Sequence, residues 1–279
     1  VISSERDCYV ALASLVNPPD ISINQLVSEY SASHTWQRLV AGKIKYHSKL
    51  TNRAQTYSPA TNSHEYTVIT PIDNRWPSKL NDLLDEAPLA LWIRGESDLR
   101  SLTLNSVAIV GSRAATRYGL QVTQDLSAYL VNHQICVVSG AAYGIDAQAH
   151  RTAIAESGST VAVIASGIDL DYPKDHEGLF RKIATSGSVI TELPPGTAIS
   201  RNRFLTRNRV IAALSDKTVV VEAPNRSGAL NTANWANQLG RLTYGVPGPI
   251  NSLLSSGVNS RIATGELKAL AKKEQLLAS

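Results

Sequence analysis

Cysteine is scarce in this chain of 279 residues: there are two, Cys8 and Cys136, far apart. Neither belongs to a C-x-x-C or Cys/His spacing, so a metal site is not expected. Two buried thiols in a reducing cytosol are, which makes the expected location cytoplasmic. Methionine is absent and Val1 comes first, so this does not read as a raw translated frame. No apolar run approaches the roughly eighteen residues that span a bilayer. No charged-then-apolar segment opens the chain, so secretion and a membrane partner are set aside. Acid is missing over three long windows: Glu29 to Glu65, Glu192 to Asp216, and Glu222 to Glu266. The first holds Arg38, Lys43, Lys45, Lys49 and Arg53, the second four arginines, and the third Arg226, Arg241 and Arg261. With a net charge of +4, such windows focus a positive field if the fold brings them together.

What is present is a globular mixture, 43% hydrophobic and 18% charged, long enough for a large core. Apolar spacing predicts a helix around Tyr9 to Val16, closed by Asn17-Pro18-Pro19-Asp20, and another around Ile23 to Tyr30. Residues 50–64 are polar and read as a linker. Strands are expected at 66–70 and 89–93, with a helix at 76–84 between them. From Ser106 the pattern becomes regular. Short, wholly apolar strands at 107–110, 135–138, 160–164, 189–191, 218–222 and 242–246 alternate with helices at 118–131, 145–156, 178–185, 208–214 and 229–239. Such strands imply a parallel sheet covered on both faces, and thus a doubly wound, mostly parallel, Rossmann-like α/β fold. Ligands in such folds sit beyond the carboxyl ends of the strands.

Gly111-Ser112-Arg113 follows the first of these strands. It is a glycine turn with a hydroxyl and a guanidinium suited to an anion. Neither G-x-G-x-x-G nor GxxxxGKS occurs, so neither a nicotinamide cofactor nor a P-loop is indicated. Asp146 and His150 share a helix face. They read as structural rather than as an acid–base pair, because no third polar partner completes a triad. Lys174 is a candidate phosphate contact. Glu192 and Glu222 end strands, and their favoured role is to order nearby arginines. The segment 201–209 holds four arginines and Phe204, one of two phenylalanines in the chain. Basic groups interleaved with an aromatic suit single-stranded nucleic acid. Arg209 has an equally weighted reading as a buried partner of Glu192 or Glu222. Ser227-Gly228 opens a helix and forms a second anion cradle.

Seven motifs in order, GSR (111–113), SGAAYGIDAQAH (139–150), GIDLDYPKDH (167–176), the Glu192 strand end, RFLTRNRVIAALS (203–215), VVVEAPNRSGALNTA (219–233) and GRLTYGVPGPI (240–250), resemble the DNA-processing protein family DprA, or Smf. The likeness spans about 66–265. It implies a small helical N-terminal domain (1–65), an extended Rossmann-like DNA-binding domain (66–265) and a short helical tail (266–279). It also implies a non-enzymatic protein with no cofactor. Such a protein binds single-stranded DNA during natural transformation, protects it, helps load RecA recombinase and forms a homodimer. Carried over by position, the DNA contacts are Gly111, Ser112, Arg113, Lys174, Arg207, Asn208 and Arg209. Arg203, Phe204, Ser227 and Gly228 join them from the residue reading. Tyr143 stands where the family often has arginine. The alternative is a nucleotide-binding phosphoribohydrolase-like enzyme, but its glycine-rich turn is RSGAL here and the following helix, 231–238, carries no acid.

Overall fold

A computed structural model describes residues 2, 4–44, 48–58, 65–95 and 97–277. Four helices come first: α1 (Glu5–Leu15), α2 (Ile21–Tyr30), α3 (Ala32–Val40) and α4 (Ser48–Gln55). Side-chain oxygens of Ser4, Asp20 and Ser31 cap the first three by accepting from N–H groups of their first turns. Strands β1 (Thr67–Ile69) and β2 (Leu91–Arg94) flank a 3₁₀ segment, Ser78–Glu86. A single turn, α5 (Leu99–Leu102), leads into the alternating region. Its strands are β3 (Ser106–Val110), β4 (Cys136–Ser139), β5 (Thr160–Val163), β6 (Gly187–Thr191), β7 (Lys217–Val220), β8 (Leu242–Gly245) and β9 (Lys268–Ala269). Its helices are α6 (Arg117–Asn132), α7 (Ile145–Ala155), α8 (Glu177–Ser186), α9 (Arg201–Leu214), α10 (Gly228–Gln238) and α11 (Leu253–Ala263).

One sheet runs in the order β1-β2-β6-β5-β4-β3-β7-β8-β9. From β6 to β9 every pairing is parallel, and β1 and β2 join antiparallel at the β6 edge. The chain steps outward from β3 to β6, then α9 carries it back to β7 on the other side of β3. The strand order therefore reverses between β3 and β7, the place where a doubly wound sheet opens a crevice. Wholly buried strands such as 106–110 and 187–191 are what a sheet covered on both faces requires.

The doubly wound expectation holds, with differences at its margins. The predicted linker at 50–64 is helical in its first part, and 59–64 lies outside the described residues. α4 is polar, with Ala54 its one buried residue. Arg53 donates to the Leu15 carbonyl at 2.7 Å and Gln55 to the Val40 carbonyl at 2.9 Å. Tertiary hydrogen bonds therefore hold a helix that periodicity does not announce. The helical tail expected after 265 is instead β9 plus a 3₁₀ turn, Lys273–Leu276. Leu270 and Leu276 are buried against the sheet. The N-terminal helices share one apolar cluster with a sheet face, running from Leu12, Ile23 and Leu39 to Trp92 and Phe180. Asn24 pins them by donating to the carbonyls of Asp85 and Ala87 at 2.7 and 2.8 Å.

Candidate nucleic-acid interface

A groove of about 960 Å³ opens at the carboxyl ends of β3 and β7. The turn after β3, the first turns of α9 and the segment leading into α10 wall it. The β3 turn is tightly packed. A Cβ at Gly111 would lie 2.5 Å from the Ile145 side chain, and one at Gly144, where φ is +74°, would lie 2.3 Å from the Ser112 carbonyl oxygen. Ser112 is buried: its N–H donates to the Glu222 carbonyl at 2.7 Å, and its Oγ accepts from Ala114 N–H at 3.2 Å. Of the Gly111-Ser112-Arg113 trio, Arg113 alone is exposed. Its guanidinium sits over the Phe204 ring, 5.0 Å from the centroid. Tyr172 also packs against that ring, with centroids 5.8 Å apart and planes tilted by 54°. Lys174 is exposed two residues beyond Tyr172, outside the groove lining.

The basic cluster on α9 divides. Arg203 turns back onto the Ala198 carbonyl and does not line the groove. Arg207 is buried in the groove floor, where it donates to the carbonyls of Gly140 and Val163. A Cβ at Gly140 would lie 2.5 Å from that guanidinium. Burial pushes Arg207 down to about 10, opposed by the charge of Asp146 and assisted by that of Arg113. Burial raises Asp146, while Arg207 and the N–H groups of Ala142, Gly111 and Gly140 oppose the rise. Asn208 is a bracing residue, donating to the Gly228 carbonyl at 3.0 Å and to Asn231 Oδ1 at 3.2 Å. Arg209 is a correction: 0% exposed, it makes a two-pronged pair with Glu192 at 2.6 and 2.5 Å and also donates to the Glu86 carbonyl at 2.8 Å. It is a structural arginine that no external phosphate reaches.

Ser227 and Gly228 line the groove where expected. Ser227 Oγ accepts from Ala229 N–H at 3.2 Å, and nothing lies within 4 Å of a Cβ built on Gly228. Two further groove cations, Arg201 and Arg226, are exposed and have no ion pair among the described residues. Arg201 belongs to the basic cluster read at 201–209, and Arg226 is visible as a member of the third acid-free window. Their position next to Ser200 and Ser227, the N-caps of α9 and α10, is the signal that marks them out.

The carboxylates are committed. Glu192 does order an arginine, but Glu222 does not. It accepts from Thr116 N–H at 2.9 Å and from the Thr116 hydroxyl at 2.5 Å, holding the residue that caps α6 instead. Asp146 accepts from Gly140 N–H at 3.2 Å. The Thr160 hydroxyl donates to the Val137 carbonyl, so His150 Nδ1–H donates to Thr160 Oγ1 at 2.7 Å. Burial, together with the charges of His176, Arg207 and Arg151, lowers His150 to about 3. Asp146 and His150 thus hold separate internal partners rather than each other. No metal-holding group of His, Cys, Asp or Glu occurs among the described residues, and no helix there is long and apolar enough to cross a membrane.

Sheet order and groove together define a Rossmann-like protein whose switch point carries arginines and an aromatic in place of a dinucleotide fingerprint. The chain belongs to the family of DNA recombination-mediator protein A, whose family model matches residues 67–279. A Mycobacterium tuberculosis protein bearing the name DNA processing protein DprA is 46% identical over 208 residues, covering 71% of this chain and 54% of that protein. The DNA processing protein DprA of Streptococcus pneumoniae is 38% identical over 194 residues, covering 70% and 67%. The chain thus spans about half the length of the first of these relatives. The X-ray structure of DprA from Streptococcus pneumoniae superposes with a TM-score of 0.86 at 28% identity, covering 100% of this chain and 99% of that one. DNA processing protein A from Helicobacter pylori, in a structure describing its single-stranded DNA binding mode, superposes with a TM-score of 0.68 at 27% identity, covering 76% and 94%.

Proposed function

We propose that the groove binds single-stranded DNA, that the bound strand is protected and passed to a RecA recombinase during natural transformation, and that no chemical step is involved. One observation carries this reading: Arg113 stacked on Phe204 inside a groove that also exposes Arg201 and Arg226. Unpaired cations supply phosphate contacts, and the ring with its guanidinium supplies a face for an unstacked base. The single-strand binding described for the Helicobacter pylori relative supports it. A homodimer would join two such grooves and raise affinity for long strands. The phosphoribohydrolase reading gains no support, because Glu192 and Glu222 are both tied to internal partners.

The test is equilibrium binding of fluorescent oligo-dT and of a duplex of equal length at several salt concentrations. The reading predicts preference for the single strand, with log K falling against log salt by about 0.7 per phosphate contacted. Phe204→Ala should weaken oligo-dT binding by roughly 5- to 160-fold, the range of one stacked base. Equal, negligible binding to both forms would contradict it.

A further inference from the structure

Doubly wound sheets hold nucleotide phosphates at the backbone N–H groups of the turns that follow their strands, where a helix N-terminus favours an anion. In this chain those groups serve the protein's own carboxylates. Glu222 lies two residues past β7, 1% exposed, and reaches across to the helix that follows β3. Its carboxylate takes Thr116 N–H at 2.9 Å and the Thr116 hydroxyl at 2.5 Å, and Thr116 Oγ1 in turn takes Gly119 N–H at 3.1 Å. It is pressed so closely onto the first turn of α6 that a Cβ at Gly119 would lie 2.3 Å from Glu222 Oε2. Asp146 does the same at the next turn: 5% exposed, it takes Gly140 N–H at 3.2 Å and faces those of Gly111 and Ala142. By contrast, Gly228 at the start of α10 faces open space beside the exposed Arg226.

We propose that Glu222 and Asp146 are specificity-determining residues, built-in anions that close the nucleotide-phosphate positions of the fold. Free mono- and dinucleotides are then refused at the turns after β3 and β4, because a second anion would have to enter a desolvated site already holding one. A strand is still accepted, because its phosphates run along the outer rim formed by Arg113, Arg201 and Arg226. The proposal rests on the single-strand reading of the groove. It differs from a purely structural role for Glu222, which predicts lost stability and nothing else.

The experiment uses the full chain, as wild type, Glu222→Ala and Glu222→Ser, with ADP and inorganic phosphate as probes. Calorimetric titration and thermal shift are run beside oligo-dT binding on the same samples. Wild type should show no saturable response to either probe, and millimolar ADP should fail to displace oligo-dT. The variants should gain saturable binding, with affinity up about tenfold or more, and phosphate should raise their melting temperature but not that of wild type. Folded variants that gain nothing would overturn the proposal. So would a wild type that binds ADP as tightly as the variants do, or from which ADP displaces oligo-dT. Should neither fold, Glu222→Gln keeps the shape and removes the charge: phosphate should then raise its melting temperature, and a folded Glu222→Gln that phosphate leaves unchanged would overturn the proposal. A wild type that binds neither oligo-dT nor ADP would sink the single-strand reading itself, a failure separate from a nucleotide result.

Discussion

Arg207 and Arg209 stand two positions apart on one helix and do different work. Arg209 is locked to Glu192 in the interior, so removing it strands a buried carboxylate. Arg209→Met should cost about 3–5 kcal/mol in urea denaturation, and adding Glu192→Leu should recover part of that loss. Arg207 fits between two carbonyls and a glycine. Gly140→Ala should destabilise by about 1–3 kcal/mol through overpacking, read by the same method. The cluster at 201–209 was legible in the sequence as basic and aromatic. Which arginines turn inward was not, because 207–214 are buried all round the helix and leave no polar face to read. The sequence allows Arg209 either at the surface or in the core, and the nearness of Glu192 settles it for the core. That nearness is a long-range contact that local spacing cannot encode.

At the scale of elements, α7 carries a pH dependence. His150 stays neutral in the folded chain, at about 3, against an ordinary 6.5. Between those values the unfolded chain binds the extra proton. Stability from this group is therefore complete above 6.5 and falls on acidification, by about 1.4 kcal/mol per pH unit. The difference between urea midpoints at pH 7 and pH 5 should shrink in His150→Gln; an unchanged difference would place the dependence elsewhere. The parallel strands were legible because each is a short unbroken apolar run, and their ends fall within one or two residues of expectation from β3 to β8. The remaining elements were less so. α3 does bury Ala32, Thr35, Trp36 and Leu39 at helical spacing, but over nine residues inside a basic window, whereas α4 is polar and β9 is two residues long. Neighbouring segments hold α4 and β9 rather than their own periodicity.

Across the whole molecule, two of the three acid-free windows converge. Arg201 comes from the second and Arg226 from the third, and both line the groove. None of the described residues of the first window, between Glu29 and Glu65, is part of that lining, and its Arg38 lies over the Tyr30 ring, 4.8 Å from the centroid. Charge reversal should separate them: Arg226→Glu should weaken oligo-dT binding and flatten its salt dependence by about 0.7, while Arg38→Glu should leave both unchanged. The most direct test of the groove is hydrogen exchange with and without oligo-dT. A strand bound in the groove should slow exchange at 111–116, 199–208 and 225–231, the segments that wall the crevice at the β3–β7 reversal. Slowed exchange confined to the helices of 5–55, with those three segments unchanged, would contradict it.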